Sequence, residues 1–178
     1  CEENPIEAFT VNVYGMLNII NGCLETKAKL IFLSSREVYG ETQGKASTED
    51  EKMKPKNILG ITKMLGENLI INAAENSNLE FTILRITNVY GENMKSGIYQ
   101  MIKNSIDNNK IIINGGRQFL NLIHVRDIMP VIGKILSNNI PKNRTYNVGS
   151  TLDISLNELV EIIIDTLGIK PEIELRPF

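Results

Sequence analysis

Apolar positions recur three and four apart from Pro5 through Ile6, Phe9, Val13, Met16, Leu17 and Ile20. That spacing predicts a helix over about 5–26, with Pro5 in a first turn that needs no N–H from it. Lys29–Ser35 then turns continuously apolar, Leu-Ile-Phe-Leu, and ends in two serines. A run without alternation predicts a short parallel strand covered on both faces. Residues 36–56 are polar, with Gly40, Gly44 and Pro55, and read as a loop. A second long helix is expected over about 57–76, a buried strand over Glu80–Ile86, and a glycine-containing loop over Asn88–Gly97.

Beyond that loop the pieces shorten. Ile98–Asn108 reads as helix, and Ile111–Ile113 and Phe119–Val125 as strands around the Gly115-Gly116 turn. Asp127 is expected to cap a helix to about Ser137, with Pro130 in its first turn. Thr145–Val148 is the next strand. Ser155 and Glu158 form a capping box for a helix that Gly168 stops after Leu167. Helices alternating with short apolar strands define an α/β fold with a mostly parallel sheet.

Composition narrows the function. A net charge of −2 over 178 residues offers nucleic acid no general attraction. The apolar runs fall well short of the ~20 residues that span a bilayer. No signal peptide opens the chain, and two cysteines imply no disulfide framework, so a cytoplasmic location is expected. Cys23 reads as an inert buried thiol, and one histidine with two cysteines makes a zinc site improbable, so no metal is expected. The first residue is Cys1 rather than Met, which reads as a fragment, a processed form or the ordered part of something longer.

In parallel α/β sheets, ligands bind beyond the carboxyl ends of strands. Two strand ends carry polar arrays there: Ser34-Ser35-Arg36-Glu37-Val38-Tyr39-Gly40 and Arg85-Ile86-Thr87-Asn88-Val89-Tyr90-Gly91. With Asn12-Val13-Tyr14-Gly15, Gly60-Ile61-Thr62-Lys63, Glu67, His124-Val125 with Asp127, and Tyr146-Asn147-Val148-Gly149-Ser150, they stand in an order that resembles a known family. It is the NAD(P)-dependent sugar-nucleotide epimerase/dehydratase family of extended short-chain dehydrogenases/reductases, in its central and C-terminal part.

The resemblance implies a Rossmann-type sheet lacking its N-terminal strands. Residues 1–92 would form the second half of the NAD-binding domain. Residues 93–178 would form mainly a small substrate-binding subdomain, with a returning strand near 119–125 or 145–148. It implies transient sugar oxidation by hydride transfer, as isomerase or lyase, with NAD as cofactor (NADP left open) and a nucleoside-diphosphate sugar as substrate. A homodimer through helices 5–26 and 57–76 follows from the same resemblance.

The catalytic set it implies is Ser35, Lys63 and Glu37. Ser35 would hydrogen-bond the reacting sugar oxygen, since a hydroxyl both donates and accepts. Asn12, Ser34, Lys63 and Thr87 would bind cofactor, and Ser35, Asn88 and Arg117 substrate.

Three departures from the family pattern stand out. The family's Tyr-x-x-x-Lys pair places a tyrosine four residues before the lysine, where this chain has Leu59. Leucine has no proton to move. Leu120-Asn121 stands where the family usually has Arg-Asp, whose arginine binds the substrate diphosphate; Arg117 is the nearby substitute. The glycine-rich pyrophosphate loop does not occur in the 178 residues. The chain alone is therefore expected to be inactive and to expose the edge of its first strand. A second reading stays open, a non-catalytic cofactor- or nucleotide-sugar-binding regulatory or assembly protein. A third is a truncated product with no activity of its own. His124 is expected on a strand in a structural role.

Overall fold

The computed structural model describes residues 1–42, 46–92, 94, 97–116 and 118–177. Arg117 and Gly44, both singled out in the sequence, lie outside the described residues. The chain divides into two compact units, 1–87 with 131–148, and 88–130 with 149–178.

The first unit is built on a parallel sheet of β1 (Leu30–Ser35), β2 (Phe81–Ile86) and β6 (Arg144–Val148), in the order β1-β2-β6. Helix α3 (Ile58–Ser77) packs on it, joined by α1 (Pro5–Phe9) and α2 (Gly15–Thr26). Ile20, Leu30, Phe32, Ile70, Leu79, Phe81 and Ile83 form the core between these layers. Cys23 packs against this cluster half-buried rather than enclosed.

The expected helix over 5–26 is interrupted. Thr10–Tyr14 forms a π-helical turn in which the Gly15 N–H reaches the Thr10 carbonyl. Such turns are rare and bulge the helix outward. Strand β1 also departs from its apolar reading, because its burial alternates. Leu30 and Phe32 face the core, while Leu33 on the other face is 46% exposed. Strand β2 is buried at every position, as a central strand should be.

The second unit joins β3 (Asn88–Tyr90) parallel to β5 (Phe119–His124), with β7 (Asp153–Ser155) antiparallel on the other side of β5. Strands β4 (Lys110–Asn114) and β8 (Glu172–Arg176) form a separate parallel pair. Helices α4 (Gly97–Asn108) and α6 (Leu156–Leu167) supply Ile98, Ile102, Leu159, Val160 and Ile163 to an apolar cluster with Ile111 and Ile113. The Ser155–Glu158 capping box forms at the start of α6, and Gly168 ends it with a φ of 62°.

Helix α5 (Val125–Leu136) begins earlier than Asp127. Strand β5 runs into it without a loop, and the His124 Nδ1 accepts the Arg126 N–H at 3.2 Å. An acceptor at that position takes up an orphan donor of the first turn, the service expected of Asp127. Asp127 therefore sits inside the first turn, and Pro130 falls in the helix interior rather than in its opening turn.

Candidate functional site

The serine pair ends β1, and the register sets Ser34 beside Arg85 and Ser35 beside Ile86 on β2. Alternation along the strand turns the two hydroxyls to opposite faces. Ser35 Oγ accepts the Glu37 N–H at 3.2 Å and so caps the short 3₁₀ turn Arg36–Val38. Among the described residues its own proton has no acceptor. Ser34 faces α3 and is buried, donating to the Glu67 carboxylate.

Glu67 belongs to a buried polar network. Arg85 Nη2 meets Glu67 Oε2 at 2.7 Å, and Arg85 Nη1 donates to the Tyr39 hydroxyl at 2.8 Å and to the Glu49 carbonyl at 2.9 Å. Tyr39 donates in turn to Asn147 Oδ1 at 2.7 Å, tying in β6. Burial works against the Arg85 charge, but its bonds to Glu67 and Tyr39 outweigh it and hold its pKa above the usual value. Glu67, Arg85, Tyr39 and Asn147 were each visible as separate motif letters. Their pairing was not, because it joins α3 to three different segments.

Helix α3 places Leu59 and Lys63 one turn apart on one face. The start of α3 is fixed by Asn57, whose Oδ1 accepts the Gly60 N–H at 2.8 Å and whose Nδ2 donates to Glu37 Oε2 at 2.7 Å. Asn57 is thus a positioning residue that sequence reasoning missed, although Asn before an apolar helical run is a cap signal. Gly60 completes the anchor. A Cβ there would lie 2.4 Å from the Glu37 carbonyl oxygen and 2.9 Å from the Pro55 Cβ, so only glycine permits this approach.

Lys63 Nζ donates to the Leu33 carbonyl at 2.8 Å and lies 4.9 Å from the centre of the Phe32 ring. Burial pushes its amine below the usual lysine range. Asn12, on the π-helical turn, donates to Thr62 Oγ1 at 3.0 Å beside Lys63 in the chain. Thr87 follows β2, its N–H bonded to the Val148 carbonyl at 3.0 Å. Its buried hydroxyl has no partner among the described residues.

The first unit therefore gathers Ser34, Ser35, Glu37 and Thr87 at the carboxyl ends of β1 and β2, with Lys63 and Asn12 on the helical layer. Asn88 belongs to the second unit, where it donates to the Asn121 carbonyl at 3.1 Å. Leu120 packs against the apolar cluster there, and Asn121 donates to the Ser150 carbonyl at 2.9 Å and to Asp153 Oδ1 at 2.8 Å. His124 stacks edge-on against Tyr90 with ring centres 5.0 Å apart. Among the described residues there is no cluster of three or more metal-ligating side chains, and no helix is long and apolar enough to cross a membrane.

The parallel β1-β2-β6 sheet with its helical layer is a Rossmann-type α/β arrangement, and its polar groups stand at the carboxyl ends of the strands. The family model described as NAD dependent epimerase/dehydratase family matches residues 1–149, and the chain belongs to that family. A Methanocaldococcus jannaschii protein provisionally named a UDP-glucose 4-epimerase is 30% identical over 96% of this chain and 57% of its own length. The UDP-N-acetylglucosamine 4-epimerase of Methanobrevibacter ruminantium M1, in complex with UDP-N-acetylmuramic acid, is 27% identical with a TM-score of 0.89, over 99% of this chain and 59% of that one. A dTDP-glucose 4,6-dehydratase of Bacillus anthracis str. Ames, in complex with NAD, is 25% identical with a TM-score of 0.87, over 94% of this chain and 56% of that one. The chain thus spans rather more than half the length of these relatives.

Proposed function

We propose that the protein carrying this chain is an NAD-dependent enzyme that transiently oxidises a sugar attached to a nucleoside diphosphate, as an epimerase or dehydratase. The observation that carries the reading is the anchoring of Lys63 on the Leu33 carbonyl, two residues before Ser35, at the carboxyl end of β1. The substrates and cofactor in the names of the relatives point the same way: UDP-N-acetylmuramic acid with one, NAD with another.

The residues present fit a dinucleotide. The unpartnered Thr87 hydroxyl is a buried polar group that a bound molecule would satisfy. Lys63 and Asn12 would hold the ribose side of the cofactor, which when bound supplies the hydride acceptor. Ser35 would donate its free proton to the reacting sugar oxygen. Glu37, held by Asn57 and Arg36, would stand beside it as a second polar contact. Asn88 and Arg117 would contact the nucleotide-sugar. NADP remains an alternative to NAD.

The reading extends to a cytoplasmic homodimer formed through helices 5–26 and 57–76. Ile6 is 82% and Tyr14 66% exposed on the first of these, apolar surface that a partner copy would cover. Sedimentation of the protein and of Tyr14→Asp would test it; a monomeric wild type refutes the dimer.

Calorimetric titration with NAD⁺ and then with UDP- and dTDP-sugars tests the activity. Binding followed by stoichiometric reduction, read as absorbance of reduced nicotinamide, is the expected result. Cofactor binding without reduction by any sugar nucleotide would instead establish a regulatory or assembly protein of the same fold. Leu59 favours that second reading, because it stands where a proton-transferring side chain is needed.

A further inference from the structure

We propose that the Lys63 amine itself, and not a phenol, accepts the proton when the sugar hydroxyl is oxidised. This inference rests on the functional reading above and answers the difficulty posed by Leu59.

Few groups near Ser35 could do the work. Leu59 sits one turn before Lys63 and carries nothing that titrates. The helix cannot slide to present another residue, because Gly60 is seated against the Glu37 carbonyl and Asn57 caps its first turn. The phenols of this unit are committed or turned away. Tyr39 is bonded to Asn147 and Arg85, Tyr146 donates to the Pro141 carbonyl at 3.2 Å, and Tyr14 is exposed on the π-helical turn. The nearby carboxylates are also engaged, Glu37 by Asn57 and Arg36, Glu67 by Arg85 and Ser34.

Lys63 is held differently. A neutral amine has two N–H bonds and a lone pair. The Leu33 carbonyl takes one N–H at 2.8 Å, which tethers the nitrogen at the strand end and leaves the lone pair free to accept. Ser35 offers the opposite polarity, since its oxygen is occupied by the Glu37 N–H while its proton has no acceptor among the described residues. A hydroxyl donor and an amine acceptor at one strand end are the two groups an alcohol needs on its way to a ketone.

The surroundings lower the cost of deprotonating the amine. Lys63 is half-buried, and burial without a counter-ion lowers a lysine's pKa. The titratable groups on the elements packed against α3 are Glu7, Tyr14, Cys23, Glu25, Arg36, Glu37 and Arg85, with Glu67 and Glu75 on α3 itself. Among the described residues none forms an ion pair with Lys63.

The step balances. The sugar O–H bond breaks and its proton passes to Nζ, which becomes an ammonium. The hydride on the same carbon passes to a nicotinamide oxidant, and the carbonyl forms. The return step reverses both transfers.

Carbon- and nitrogen-detected NMR of the lysine side chains in the protein, without cofactor or sugar, reads the amine directly. The expected result is a Lys63 midpoint below the other lysines and below the ordinary value of about 10.4. Single-turnover reduction of NAD⁺ should rise with pH through that same midpoint. Lys63→Arg keeps donors but cannot deprotonate, and should slow single-turnover reduction at saturating NAD⁺ about 10²–10⁴-fold. Adding Leu59→Tyr to that variant should restore part of the rate by supplying a phenol.

If Lys63 titrates with the other lysines, or Lys63→Arg reduces NAD⁺ at the wild-type rate, the base role is wrong while sugar-dependent reduction leaves the functional reading standing. A depressed Lys63 midpoint with no reduction by any sugar nucleotide refutes the functional reading, and the base role with it.

Discussion

Arg85 and Glu67 form an ion pair at 2.7 Å with side chains only 5% and 0% exposed. The pair bridges the central strand β2 and the helix that bears Lys63. Ser34 donates to Glu67, and Arg85 also donates to the Tyr39 hydroxyl, the Glu49 carbonyl and the Met53 sulfur. Buried charges persist only with such satisfaction, since desolvation otherwise exceeds the attraction.

Removing one partner should therefore be far worse than removing both. Glu67→Ala strands the Arg85 charge and is expected to cost about 3–5 kcal/mol. Glu67→Leu with Arg85→Met should cost clearly less. Urea denaturation of the three proteins measures the difference, and equal losses would show that the pair is not the source.

Gly60→Ala should damage the site through geometry rather than chemistry. The added methyl meets the Glu37 carbonyl at 2.4 Å and backbone cannot yield cheaply. A loss of about 1–3 kcal/mol is expected, as for overpacking elsewhere. The first turn of α3 should shift with it, seen as changed NMR shifts at Glu37, Asn57 and Lys63 but not at α6.

Ser155→Ala removes the side-chain half of the capping box, in which the hydroxyl accepts the Glu158 N–H at 3.2 Å, together with the hydroxyl's bond to Glu158 Oε2 at 2.7 Å, while the backbone N–H at 155 keeps its bond to Glu158 Oε2. The expected loss is about 1 kcal/mol. Amide exchange should quicken in the first turn of α6 and nowhere in α3.

Glu174 on β8 is held at about 2, mainly by its bond to Arg176 and then by Lys110 across the β4–β8 pair. A carboxylate with a depressed folded-state pKa stabilises the fold above its unfolded pKa, and that contribution disappears as pH falls through the folded value. The window here runs from about 4.5 down to about 2. A carboxyl NMR titration should place the Glu174 midpoint near the lower figure, and Lys110→Ala should raise it.

What was readable in the sequence follows from how each element is held. Strands β1 and β2 and helix α3 are contiguous apolar or periodic runs, and their limits came out within a residue or two. Strands β3 and β7 have three residues each, β3 in a stretch that reads as loop and β7 running into the Ser155 cap of a helix, because so short a strand leaves no period to detect. Strand β8, Glu-Ile-Glu-Leu-Arg, is mostly exposed and held by ion pairs to Lys110 that only the fold brings near. The π-helical turn under Asn12 was hidden because it inserts one residue into an otherwise helical spacing. At the site, Ser35 and Lys63 could be picked out by their order along the chain. The Asn57 bridge and the Ser34–Glu67–Arg85 network could not, since they depend on which face each strand turns to the helix.

The free side of β1 carries one last consequence. Its six residues pair with β2 on one side, and among the described residues no strand pairs on the other. The backbone groups on that side form a template of fixed length and direction, interrupted at the Leu33 carbonyl, which accepts from Lys63 Nζ, with the Leu33 side chain presenting an apolar contact beside it. A peptide added there would find its register set in advance by the alternation of Leu30, Phe32 and Ser34 against Ile31, Leu33 and Ser35. Any strand that docks would extend the surface that already ends in Ser35 and would compete with Lys63 for the Leu33 carbonyl, so the edge and the amine are coupled.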